Sequence, residues 1–365
     1  MTDTTNPGPQ AASDRVASIG PSAAGGRILC FGEMLLRLNP PEGEVLMQGD
    51  TLTVRPGGAE ANVAVSLARF GAPTAMATVL PDNALGFGTR DELRKHGVET
   101  SGVAFKTGRM GLYFMTPGAV RRPADVLYDR ADSAFVKHVD TAFDWPALLD
   151  GVEWLHVSGV TPAVGPTGTR AAIQAVDAAR AAGVKVSFDG NFRGKLWGEW
   201  AGDPPKTLGH MLSTASIAFA DERDFALVLG RTFDDPDPQQ RRRAAAAAAF
   251  EAFPTLDRIA CTLRVQDSVA DQALSAVMLT RDGSKVTETH AEPIHLSGVI
   301  DRVGGGDAFA SGVLFGLWSG WSDAEALAFG LAAAGLKHSV HGDFNLFTAD
   351  DVRAAMGPGG FDIRR

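Results

Sequence analysis

The second half of this chain alternates strand-like and helix-like segments at short intervals, and that alternation restricts the possible folds more than any other feature. Trp154 to Val157 is an apolar run of strand length, Thr167 to Ala182 has helical spacing, and Val184 to Phe188 reads as a strand again. Ile217 to Ala220 and Arg258 to Leu263 continue the strands, with helical segments at Asp221 to Leu229 and Arg241 to Ala249 between them. Apolar strands joined through helices need crossover connections, so the pattern predicts the α/β class, a mostly parallel central sheet with helices on both faces. The N-terminal part fits the same scheme: Arg27 to Phe31 and Thr74 to Leu80 as strands, Ala59 to Phe70 and Leu85 to His96 as helices. A hairpin from Ala276 to His290 and helices at Ala308 to Trp318 and Asp323 to Val340 complete the order.

Two regions depart from this rhythm. Glu33 to Val54 alternates short apolar and polar pieces around Pro40, Pro41 and Gly43. Val103 to Lys106, Leu112 to Met115 and Val126 to Tyr128 are short strand candidates with glycine-rich joints. Residues 33–56 and 103–130 are therefore expected to form a small β lid, through which two copies of the chain would pair. Residues 1–26, rich in Ser, Ala, Gly and Pro, read as a disordered tail before a folded unit spanning 27–365.

Composition removes several function classes. A net charge of −9 over 365 residues argues against a nucleic-acid partner. No apolar run is long enough to span a bilayer, and residues 1–26 lack the basic start and apolar core of a secretory signal. Cys30 and Cys261 each sit inside an apolar strand-like run, as buried thiols of a cytoplasmic, disulfide-free protein do. The eight histidines are scattered and form no metal-ligand motif.

Chemistry concentrates in Asp301-Arg302-Val303-Gly304-Gly305-Gly306-Asp307, which runs straight into helical spacing. Glycines Gly304 to Gly306 lack a Cβ, so their amides can approach an anion at the positive end of a helix dipole. Asp307 at the same point could accept a proton from a hydroxyl. An anion hole beside a base suits phosphoryl transfer, which is mostly positioning and charge stabilisation. A plain tight turn with a capping Asp fits the same letters, and no Walker phosphate loop occurs elsewhere. In a second constellation, Pro56-Gly57-Gly58-Ala59-Glu60-Ala61-Asn62, paired glycines precede a helix and Asn62 lies one turn in, able to bond hydroxyls.

These two stretches, in this order, resemble the two signatures of the ribokinase-like PfkB carbohydrate kinases, and the resemblance runs from about Arg27 to Val352. It implies a ribokinase-like fold, Asp307 as catalytic base, an anion hole at Gly304, Gly305 and Gly306, and sugar binding by Gly57, Gly58 and Asn62. Arg302 and Gly305 stand where the family more often has Thr and Ala. Phe188-Asp189-Gly190-Asn191-Phe192-Arg193 and Leu127-Tyr128-Asp129-Arg130 are similar to stretches of the 2-keto-3-deoxygluconate kinases within that family. By that likeness Arg193 would meet a substrate carboxylate through its planar fork, with Tyr128, Arg130 and Tyr113 reaching the sugar acid. A surface turn explains Arg193, and sheet stacking explains Tyr113, without any ligand. Thr262-Leu263-Arg264 would lie near the nucleotide, and His341 to Leu346, with Asn345, in the C-terminal wall.

The family's Asn-x-x-Glu is replaced by Asp221-Glu222-Arg223-Asp224. Asp221 and Asp224 keep oxygen ligands for Mg²⁺ held through water, and a helix cap with acidic first-turn residues explains them equally. The resemblance further implies ATP as cofactor and Asp301 as a holder of a monovalent cation such as K⁺. The expected reaction is ATP-dependent phosphorylation of 2-keto-3-deoxygluconate at its terminal primary hydroxyl. The alternatives are a fructokinase or other sugar kinase, and, from a different class, a non-catalytic sugar-acid sensor.

Overall fold

The computed structural model describes residues 25–266 and 268–357. All of the expected tail except Gly25 and Gly26 lies outside the described residues. Gly26 is not loose: its amide donates to Glu153 Oε2 at 2.9 Å and its carbonyl accepts from Trp318 Nε1 at 2.8 Å.

Nine strands form a large sheet: β1 (Arg27–Phe31), β4 (Thr74–Pro81), β5 (Val103–Lys106), β8 (Val152–Ser158), β9 (Lys185–Asp189), β10 (Ile217–Phe219), β11 (Arg258–Gln266), β12 (Gln272–Asp282) and β13 (Lys285–Leu296). Their order is β13-β12-β11-β10-β9-β8-β1-β4-β5, parallel from β11 to β5, with β12 and β13 antiparallel at one edge. The α/β expectation holds.

Each central strand is apolar on both faces because both are covered. Ile28 and Cys30 of β1 join one core, packed under the helices Ala59–Phe70, Gly305–Trp318 and Asp323–Lys337. Leu29 and Phe31 point the other way, into a core shared with the helix Pro166–Ala181. The chain leaves β1 toward β4 and β5 on one side and returns through β8, β9 and β10 on the other. The strand order thus reverses between β1 and β8, and ligands of open α/β sheets bind beyond the carboxyl ends at such a switch.

A second sheet contains β2 (Leu35–Asn39), β3 (Thr53–Gly57), β6 (Gly111–Thr116) and β7 (Asp125–Asp129), in the order β3-β2-β6-β7. Its inner face, Leu35, Tyr113 and Met115 with Val126 and Tyr128, packs on Val303, beside the glycine stretch. One expected lid piece belongs elsewhere: Val103–Lys106 pairs with β4 at the edge of the large sheet. Composition could not distinguish a short edge strand from a lid strand, since both are brief and half-buried.

Candidate active site

The helix Gly305–Trp318 begins earlier than its apolar spacing indicated. Gly304 is its N-cap, in the left-handed region at φ 81°, and provides no side-chain cap. Any Cβ at Gly304 would lie 2.0 Å from the Asp343 carbonyl oxygen, so the loop closes here only with glycine. The three glycines are not equivalent. The Gly305 amide donates to Arg302 O, so it does not face a ligand as expected. The amides of Gly306 and Asp307 donate to no protein acceptor among the described residues, and a Cβ on Gly306 would meet nothing within 4 Å. The amides left free for an anion at this helix start are therefore those of Gly306 and Asp307.

Asp307 meets the second motif directly. Asn62, in the first turn of the helix Ala59–Phe70, donates from Nδ2 to Asp307 Oδ2 at 2.6 Å. Asn62 Oδ1 is buried without a partner. Close backbone approach requires Gly57 and Gly58: a Cβ on Gly57 would lie 2.3 Å from Asp343 Oδ2, and one on Gly58, at φ 150°, 2.4 Å from Glu33 O. Burial pushes the Asp307 carboxyl up to about 7, against the Asn62 hydrogen bond and the Arg193 charge, which favour ionisation. Asp189, at the end of β9, is raised well above the carboxylate range, first by burial and then by Asp307 and Asp224.

Beside these carboxylates a cavity of about 430 Å³ opens between the ends of β9, β10 and β11. Asp189, Asp221, Asp224, Thr262, Arg264 and Gly306 are among its lining residues. Asp221 and Asp224 form a capping box for the helix Glu222–Leu229, so the structural reading of these residues is realised. Asp224 also carries a cost: burial, first of all, raises its pKa to about 6. A half-buried carboxyl held above its usual range and lining a cavity with Asp189 suits a hard cation held through water. Among the described residues no three His, Cys, Asp or Glu side chains form a direct metal cage.

Arg193 caps the short helix after β9 and is exposed, with no ion pair among the described residues. Its charge reaches Asp189, Asp224 and Asp307. Arg130 differs from expectation. It is buried, and its Nε and Nη2 donate to Glu33 Oε2 at 2.8 and 2.5 Å, so the fork is committed inside the protein. Tyr113 is also held, donating its hydroxyl to Asp343 Oδ2 at 2.5 Å, while Tyr128 lies opposite it in cross-strand register. Asn345 is buried with Nδ2 unpartnered.

Asp301 does not offer a cation cage. Its Oδ1 accepts from the Val303 amide, and its Oδ2 accepts from the Gly342 amide and ion-pairs with Arg37 Nη1 at 2.8 Å. Glu33, Arg37 and Lys337 escaped the sequence reading. The available signal was a charge inside an apolar periodic run, as in Leu35-Leu36-Arg37-Leu38, where a buried partner is required.

A parallel sheet with a glycine-opened helix facing a carboxylate at its switch point defines a phosphoryl-transfer scaffold. The chain belongs to the PfkB family of carbohydrate kinases, whose model matches residues 26–348. It is 34% identical to the 2-dehydro-3-deoxygalactonokinase of Haloferax volcanii, over 93% of this chain and 99% of the relative. It is 25% identical to the 2-dehydro-3-deoxygluconokinase of Bacillus subtilis, over 86% and 90%. The crystal structure of 2-dehydro-3-deoxygluconokinase from Thermotoga maritima superposes with a TM-score of 0.83 at 32% identity, covering 91% of this chain and 99% of that one. The ribokinase-like fold is thereby established. No helix among the described residues is long and apolar enough to cross a membrane.

Proposed function

We propose that this kinase transfers the γ-phosphoryl group of ATP to the terminal primary hydroxyl of 2-keto-3-deoxygluconate, giving the 6-phosphate and ADP. The Asn62–Asp307 hydrogen bond carries the reading, because it joins the two motifs across 245 positions of sequence. Asn62 orients the sugar and the carboxylate together, and Asp307 takes the hydroxyl proton as the oxygen attacks phosphorus. The Gly306 and Asp307 amides hold the charge on the transferring group. Thr262 and Arg264 line the nucleotide side. Asp221 and Asp224, with Asp189, would hold magnesium through water; that ion supplies charge neutralisation on the phosphates. Gly57, Gly58 and Asn345 shape the sugar pocket, with Tyr113, Tyr128 and Arg130 supporting its wall.

Arg193 selects a sugar acid, since its exposed guanidinium forms no ion pair among the described residues while its charge reaches Asp189, Asp224 and Asp307, and the relatives' names point to 2-keto-3-deoxy acids of both epimers. A charge-assisted fork is worth about 1.5–3 kcal/mol, so Arg193→Ala should lower kcat/KM for the keto acid at least about tenfold. A neutral analogue without the carboxylate should react poorly with the native enzyme and be little affected by the substitution. Equal losses on both substrates, or native preference for a neutral hexose, defeats the sugar-acid assignment.

The small sheet acts as the lid, closing over the sugar and excluding water that would otherwise accept the phosphoryl group. Its other face carries Val54, Leu38, Phe114 and Leu127 in one cross-strand row, with Val54 and Leu127 exposed, which favours pairing with a second copy. Hydrogen exchange in β2, β3, β6 and β7 should slow when both substrates bind, and in β3 also with rising protein concentration. Protection that bypasses these strands places the lid wrongly.

A further inference from the structure

We propose that Lys337 and Arg37 are built-in cations that hold the anion-hole loop in place of a monovalent metal ion, so that this enzyme needs no K⁺. Lys337 ends the helix Asp323–Lys337 and is 0% exposed. Its Nζ donates to Val340 O at 3.3 Å, and its Cε lies 3.3 Å from where a Cβ on Gly304 would be. The ammonium therefore sits directly beneath the residue that opens the anion hole.

Charge balance argues the same way. The buried carboxylates here are Asp301, 5% exposed, and Asp343, 3% exposed. Arg37 Nη1 bridges them at 2.8 and 3.0 Å. Lys337 is the second positive charge facing both. Arg37 and Lys337 thus match Asp301 and Asp343 charge for charge, with Asp307 the further carboxylate that Lys337 faces, and a metal ion between Asp301 and Asp343 would meet anions already paired. The oxygens that a cation would need are also engaged: both Asp301 oxygens accept backbone amides, and Val340 O accepts Lys337. Burial lowers the Lys337 pKa while Asp301 and Asp343 oppose that change. Lys337 is a positioning residue, acting through the Gly304 turn rather than on substrate.

Thermal unfolding of the full chain in KCl, NaCl or tetramethylammonium chloride at equal ionic strength tests this without any substrate, and so stands apart from the kinase assignment. The native protein should show the same Tm in all three salts. Lys337→Ala removes one charge and opens space, so KCl should raise its Tm by at least about 3 °C over tetramethylammonium chloride. Lys337→Met removes the charge but fills the space, and should gain no K⁺ response. In turnover, K⁺ should rescue Lys337→Ala only. A native Tm that rises specifically with K⁺, or a Lys337→Ala variant indifferent to small cations, overturns the proposal. Should neither variant fold in any salt, the native comparison decides alone.

Discussion

Asp307→Asn is expected to reduce turnover about 10²–10⁴-fold while sugar and nucleotide affinities stay within severalfold, because an amide keeps the size but cannot take the proton. The Asn62 hydrogen bond survives, since an amide oxygen can accept it at the same place. Native kcat/KM should rise with pH and level off above about 7, where the buried carboxyl ionises. Stability follows the opposite course. A carboxyl whose pKa in the folded protein lies above its unfolded value keeps its proton on folding, so its contribution is complete at low pH and declines as pH rises through about 7. The Tm of the variant relative to the native protein should therefore rise between about pH 4, where the unfolded carboxyl ionises, and about pH 7, and stay level above that. Retention of more than about a tenth of native kcat removes Asp307 from the role of base.

Gly304→Ala should be nearly as damaging, for a different reason. Alanine is strained at φ 81°, and its Cβ would lie 2.0 Å from a backbone oxygen of Asp343, which cannot rotate away. Relief requires the loop to move, which carries the Gly306 and Asp307 amides away from the place proposed for the transferring phosphate. Loss of one such donor costs about 10²–10³ in kcat, and Tm should fall as well. Gly306→Ala is the matched control. Its Cβ would enter open space, so the fold should keep its native Tm while nucleotide binding weakens. Near-native kcat in Gly304→Ala would show that the anion hole lies elsewhere.

The fold was legible because each layer leaves its own period. The parallel strands are apolar on both faces, as Ile28 and Leu29 show by entering opposite cores. The helix Pro166–Ala181 keeps a single buried stripe, whereas Ala59–Phe70 and Gly305–Trp318 are buried nearly all round. Asn62 and Asp307 were legible as glycine-led helix starts, a local pattern that survives without knowledge of the partner. What stayed hidden was pairing over distance. Nothing around Arg130 announces that Glu33, 97 positions earlier, takes its fork. In the same way Arg37 finds Asp301 and Asp343 only once the lid is docked. Val103–Lys106 was misplaced because its partner strand β4, rather than its own letters, decides which sheet it joins.

The contact between Asn62 and Asp307 also bears on how the chain is made. The helix Ala59–Phe70 packs against Gly305–Trp318, so the first third of the polypeptide must wait for the last fifth before the site exists. A growing chain on the ribosome acquires the β9–β11 wall of the cavity well before it acquires Asp307, the proposed base. On the proposed mechanism, every unfinished product shorter than 307 residues lacks the base and cannot spend ATP.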